Sequence, residues 1–90
     1  MLSSNEYVLI KMAASWCNPC HKMEPIVKKA LEGMDNISLL EVDVEENPDM
    51  ARKYKVRSIP MLVLIKNNEV IKTMVGLRNI NEVKEFLKTT

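Results

Sequence analysis

Cysteine and histidine are scarce in this chain of 90 residues, with two cysteines, Cys17 and Cys20, and one histidine, His21. Two cysteines this close in sequence cannot staple distant parts of a secreted scaffold, so a disulfide framework is excluded. Zinc normally takes about four ligands, and beyond Cys17, Cys20 and His21 no Cys or His is left to complete the set. Charge is nearly balanced, at net +1, which gives no electrostatic footprint for nucleic acid or an acidic membrane surface. Neither is expected as a partner. No apolar run approaches the roughly eighteen residues of a membrane span. Lys11 breaks the first apolar stretch, so no secretory core is expected there either. The expectation is a cytoplasmic protein in a reducing compartment, acting as a monomer.

What is present describes an ordinary globule: 47% hydrophobic and 28% charged residues, a length that fits a single domain over residues 1–90, and no repeat or low-complexity stretch. Periodicity and punctuation predict the order β, α, β, α, β, β, α. Tyr7 to Ala14 is nearly continuously apolar, as in a strand covered on both faces. From Asn18 to Glu32 the apolar residues Met23, Ile26, Val27, Ala30 and Leu31 follow a helical period. Gly33 is placed to stop that helix, and Pro25 to kink it. Ile37 to Val44 reads as a strand, and Asn47-Pro48 as a cap and first turn leading into Met50, Ala51 and Tyr54. Met61–Ile65 and Val70–Val75 flank Asn67-Asn68, a pair that tolerates the positive φ of a tight hairpin. Asn79 and Glu82 then open a last helix whose Ile80, Val83, Phe86 and Leu87 face inward.

The chemistry concentrates at Trp16-Cys17-Asn18-Pro19-Cys20, after the first strand and at the head of the first helix. Sulfurs at i and i+3 on a first helical turn can lie close enough to bond, and free N–H groups with the positive end of the helix dipole favour a thiolate at Cys17. A CxxC pair in a reducing compartment points to dithiol–disulfide exchange. Cys17, at the cap and partly exposed beside Trp16, would attack a target disulfide; Cys20, further in, would resolve the mixed disulfide. Cys17 to His21 also fits the CxxCH pattern of covalent haem attachment. That would need export to an oxidising assembly compartment, and most methionines sit at core-periodic positions where gap-filling is their role. No resident cofactor or metal is expected. His21 is placed in solvent near the dithiol, where its charge near neutrality could tune the thiolate.

These residues, with Pro25, Asn47-Pro48, Ser58-Ile59-Pro60 and Val75-Gly76, make the chain resemble the thioredoxins from Tyr7 to Leu87. The resemblance implies an α/β thioredoxin fold, a central four-stranded mixed sheet with helices on both faces, and a dithiol at the carboxyl end of the first strand. It implies a protein-disulfide reductase that receives electrons from a separate thioredoxin-reductase-like or glutathione-based donor and passes them to disulfide-containing proteins. Pro60 would be a cis proline facing the dithiol, with the Ile59 backbone free for an extended target. Trp16, Ile59, Pro60, Val75 and Gly76 would form the docking surface. Glu45 would orient the Trp16 indole, or else be a solvated charge beside Asp43 and Glu46. A glutaredoxin-like, glutathione-dependent reductase and a redox-silent interaction module of the same fold are the alternatives.

Several departures from the family pattern carry their own expectations. The strand and helix that usually open a thioredoxin have no counterpart before Tyr7, Asn-Pro replaces the commoner Gly-Pro, and His21 stands where lysine is usual. Thioredoxins also bury an aspartate in the strand before the active site, paired with a lysine on the neighbouring strand. Here the matching positions hold Lys11 and Glu41, with the charges exchanged. Burying Lys11 alone would be expensive, and Glu41 is the simplest offset. The expectation is that the two approach each other beneath the dithiol, Glu41 serving as proton acceptor for Cys20. The alternative is that Lys11 snorkels to solvent.

Overall fold

An apolar run without alternation needs cover on both faces, and Tyr7–Ala13 obtains it as an inner strand. The computed structural model describes residues 6–88. Its elements are β1 (Tyr7–Ala13), α1 (Asn18–Leu31), β2 (Ile37–Asp43), α2 (Pro48–Lys53), β3 (Met61–Lys66), β4 (Glu69–Val75) and α3 (Ile80–Phe86), in the order the sequence predicts. The strands form one four-stranded mixed sheet ordered β2-β1-β3-β4. β1 runs parallel to β2, while β3 is antiparallel to both β1 and β4.

Strand alternation sends successive side chains to opposite faces. Tyr7 and Leu9 pack on Met23, Val27 and Ala30 of α1 and on Val83 of α3. Ile10 and Met12 face the other way, joining Val42 and Val63 under Met50 and Tyr54, from α2 and the residue that ends it. Helices therefore cover both faces, and Lys11, two residues beyond Leu9, lies on the α1 side. Among the described residues no helix is long and apolar enough to cross a membrane.

The local signals act largely as read. Asn67 and Asn68 both adopt positive φ, 53° and 65°, and close the β3–β4 hairpin. Asn79 and Glu82 form a reciprocal capping box on α3. Gly33 lies just past α1 at φ 80°, and α1 itself continues past Pro25. Asn47 departs from expectation, since it precedes α2 but makes no side-chain cap. Its Nδ2 donates instead to the Asp43 carbonyl at 3.1 Å, while Asp43 Oδ1 accepts from the Glu45 and Glu46 amides at 2.8 and 3.3 Å. A compact turn after β2 thus uses the side chain that a cap would need.

Topology gathers three segments at one end of the sheet. β1 delivers its carboxyl end to the start of α1, where the dithiol sits. The pairing of Met12 with Met61, and of Met61 with Val75, brings Ile59-Pro60 and Val75-Gly76 to that same end.

Candidate active site

Cys17 occupies the N-cap of α1 with extended backbone, φ −90° and ψ 105°, and its Sγ accepts the backbone N–H of Cys20 at 3.2 Å. Cys17 and Cys20 are joined as a disulfide with their Cα atoms 5.3 Å apart. Helical spacing brings the sulfurs together, and Pro19 fits the first turn because its missing N–H would have no intrahelical acceptor there. When the pair is reduced, an amide aimed at Cys17 Sγ and the positive end of the helix favour the thiolate at that position.

Cys17 is more deeply placed than expected. It is 5% exposed, scarcely more than Cys20 at 2%. Joined to Cys20, it packs in a small cluster with Ala14, against which Ala13, Val44 and Ile59 lie. Its difference from Cys20 is therefore one of position on the helix, cap against inner turn, rather than of exposure.

Around the pair lies a shallow surface. Trp16 is 66% exposed, yet its Nε1 donates to Glu45 Oε1 at 2.9 Å, so Glu45 orients the indole rather than standing as a solvated charge. The Ile59–Pro60 peptide is cis. Pro60 is fully buried and its carbonyl accepts from the Gly76 N–H at 2.8 Å, which ties β4's end to the start of β3. Among the described residues the backbone of Ile59 has no hydrogen-bond partner. Val75 is exposed beside Gly76, whose φ of 95° suits glycine and above which a Cβ would meet open space. A cleft of about 610 Å³ continues from Trp16 and Ile59 between Val44, Pro48, Ala51 and Val56.

On the inner side of the dithiol a second cavity, about 320 Å³, is walled by Cys20 and by Lys11, His21, Glu24 and Glu41. Lys11 and Glu41 are register partners on β1 and β2, and Lys11 Nζ stands 3.6 Å from Glu41 Oε1. The Lys11 side chain is 6% exposed and that of Glu41 is 47% exposed, so Lys11 is buried and paired and does not snorkel. His21 is exposed, as read, and its Nε2 donates to the Ser15 carbonyl at 2.7 Å, which fixes the proton on that nitrogen.

Glu24 is the residue that sequence reasoning missed. It binds Lys28 Nζ at 3.1 Å, and that hydrogen bond, followed by the charges of Lys11 and Lys28, holds its carboxyl below the ordinary value. The signal was its place four residues after Cys20, which puts both on one helix face.

Comparison with known proteins agrees with this geometry. The family model described as Thioredoxin matches residues 1–89. A thioredoxin of Buchnera aphidicola is 40% identical over 88 residues, which cover 97% of this chain and 82% of that relative. The bifunctional thioredoxin reductase/thioredoxin of Mycobacterium leprae is 37% identical over 79 residues, 87% of this chain and 17% of that protein. Among solved structures, a thioredoxin variant from Halobacterium salinarum superimposes with a TM-score of 0.84 at 34% identity, covering 96% of this chain and 76% of the other. With a capped, disulfide-linked Cys17–Cys20 pair at the end of β1, the chain belongs to the thioredoxin family and is a dithiol thiol–disulfide oxidoreductase.

Proposed function

We propose that the protein, as one thioredoxin-like domain over residues 1–90, reduces disulfides of other proteins in the cytoplasm, with Cys17 as nucleophile and Cys20 as resolver. Cys17 thiolate attacks one sulfur of the target disulfide, forming a mixed disulfide and releasing the first target thiolate. Cys20 then loses its proton and attacks Cys17 Sγ, which forms the Cys17–Cys20 bond and releases the second thiolate. Two electrons pass to the target. The observation that carries this assignment is the N-cap position of Cys17 Sγ with the Cys20 amide directed at it.

Trp16, Ile59, Pro60, Val75 and Gly76 serve as the docking surface. The unpartnered Ile59 backbone offers an extended target segment main-chain hydrogen bonds, and the apolar cleft beside Trp16 receives its side chains. Glu41 acts as proton acceptor for Cys20, being half-exposed and able to pass the proton on to water.

Electrons come from a separate reductase rather than from glutathione. The Mycobacterium leprae relative, which carries both names in one chain, supports a reductase partner, and Trp16-Cys17-Asn18-Pro19-Cys20 lacks the Cys-Pro-Tyr-Cys pattern of glutaredoxins. The test is to supply the oxidised protein with NADPH and a thioredoxin reductase, or with glutathione. Turnover of a protein disulfide with the reductase is expected; turnover with glutathione alone would overturn the choice of donor.

A further inference from the structure

His21 bonds the start of α1 on both sides of Trp16. Its backbone N–H donates to the Cys17 carbonyl at 3.2 Å, and its Nε2 reaches back to donate to the Ser15 carbonyl at 2.7 Å. With Nε2–H engaged by Ser15, a second proton enters at Nδ1. Protonation therefore keeps that bond and makes it charge-assisted, so the cation stays beside the dithiol instead of swinging into solvent. The first turn of α1 holds no acidic side chain, and His21 follows Cys20 directly. The cavity on that side receives Glu24 from α1, Glu41 and Asp43 from β2 and Glu46 from the turn before α2. Its other cation, Lys11 from β1, stands 3.6 Å from Glu41 Oε1. The positive end of the helix opposes an imidazolium here, while the carboxylates favour one.

From this arrangement we infer that His21 is a positioning residue of the attacking step: its charged imidazole stabilises the Cys17 thiolate, and its neutral imidazole does not. The inference rests on Cys17 being the nucleophile. Cys17 and His21 stand at i and i+4, a spacing at which side chains on a helical turn are neighbours. The Cys17 thiol gives its proton to water, and His21 takes one from water as pH falls through the range of about 8 to 5 in which an imidazole charges. No proton passes between them. Thiolate and imidazolium then coexist at a pH where a neutral residue at position 21 would leave more of Cys17 as the thiol. Lysine, usual at this position in the family, carries its charge across that whole range. Histidine confines the effect to the acidic part of it.

The experiment titrates the reduced full chain at low salt by the ultraviolet absorbance of its thiolate. His21→Gln keeps an N–H donor for the Ser15 carbonyl and removes the charge, whereas His21→Lys makes the charge permanent. At about pH 6 the parent should hold roughly threefold more thiolate than His21→Gln, the effect of a displacement of about half a pH unit, and the two curves should merge above about pH 8. His21→Lys should lie about half a unit below His21→Gln throughout the titration. Because His21 is exposed, about 1 M salt should shrink both differences. Superimposable curves for the parent and His21→Gln, or a His21→Lys curve that follows His21→Gln, would overturn the inference. A thiolate at about pH 6 that survives Cys17→Ser and vanishes in Cys20→Ser would instead overturn Cys17 as the nucleophile, so the two failures are distinguishable.

Discussion

Glu45→Ala isolates what it is worth to hold Trp16 in place. The indole is 66% exposed, and the 2.9 Å hydrogen bond from Nε1 to Glu45 Oε1 is the polar contact that fixes it. A hydrogen bond to a charged acceptor contributes about 1.5–3 kcal/mol net when shielded. Both partners here reach solvent, which reduces the figure to about 1 kcal/mol, or roughly a fivefold change in the population of the docking-ready indole. Reduction of a protein disulfide should therefore lose about fivefold in kcat/KM, carried by KM. Exchange with a small dithiol should not change, because Cys17 keeps its cap. Global stability should fall by no more than about 1 kcal/mol, the net worth of that hydrogen bond. Trp16 is the chain's one tryptophan, so its fluorescence anisotropy reports the freed indole directly. Anisotropy that falls with kcat/KM unchanged would refute a docking role for Trp16. An equal loss with the small dithiol would place the effect on Cys17 instead.

Two further expectations concern stability. Gly76→Ala should cost about 1–2 kcal/mol in denaturant unfolding, because φ of 95° is unfavourable for alanine while the new Cβ meets nothing; an unchanged midpoint would contradict that conformation. The Glu24–Lys28 pair should give a pH-dependent stability difference between the parent and Glu24→Gln. Glu24 is lowered from its ordinary 4.5, first by the Lys28 hydrogen bond, so its contribution is full above that value and fades as pH falls through the lowered one. Lys28 is raised from 10.5, first by the Glu24 hydrogen bond, so the contribution is also lost as pH rises through the raised value. A stability difference that stays constant on acidification to pH 2 would show that the pair contributes nothing.

Much of the site was legible because its signals are local. The CxxC spacing and the helix start place Cys17 and Cys20, and Asn67-Asn68 and the Asn79/Glu82 box act through their own backbone. The nearness of Lys11 to Glu41 could be argued from the cost of an unpaired buried ammonium, since adjacent parallel strands share register. What escaped depends on neighbours distant in sequence. Cys17 is buried because Val44 and Ile59, from two other segments, close over the disulfide cluster. Asn47 gives up its cap because Asp43 organises the preceding turn. Glu24 matters because β1 sets Lys11 opposite that helix face, which no local pattern on α1 encodes.

The most direct test of the central assignment is trapping. Each single-cysteine variant, Cys20→Ser and Cys17→Ser, is incubated with an oxidised protein target and the covalent adduct is quantified on a non-reducing gel. Cys20→Ser should accumulate a stable mixed disulfide through Cys17, the thiol at the N-cap of α1, while Cys17→Ser should leave the target unmodified. Equal trapping by Cys17→Ser would contradict the assignment of Cys17 as nucleophile and Cys20 as resolver.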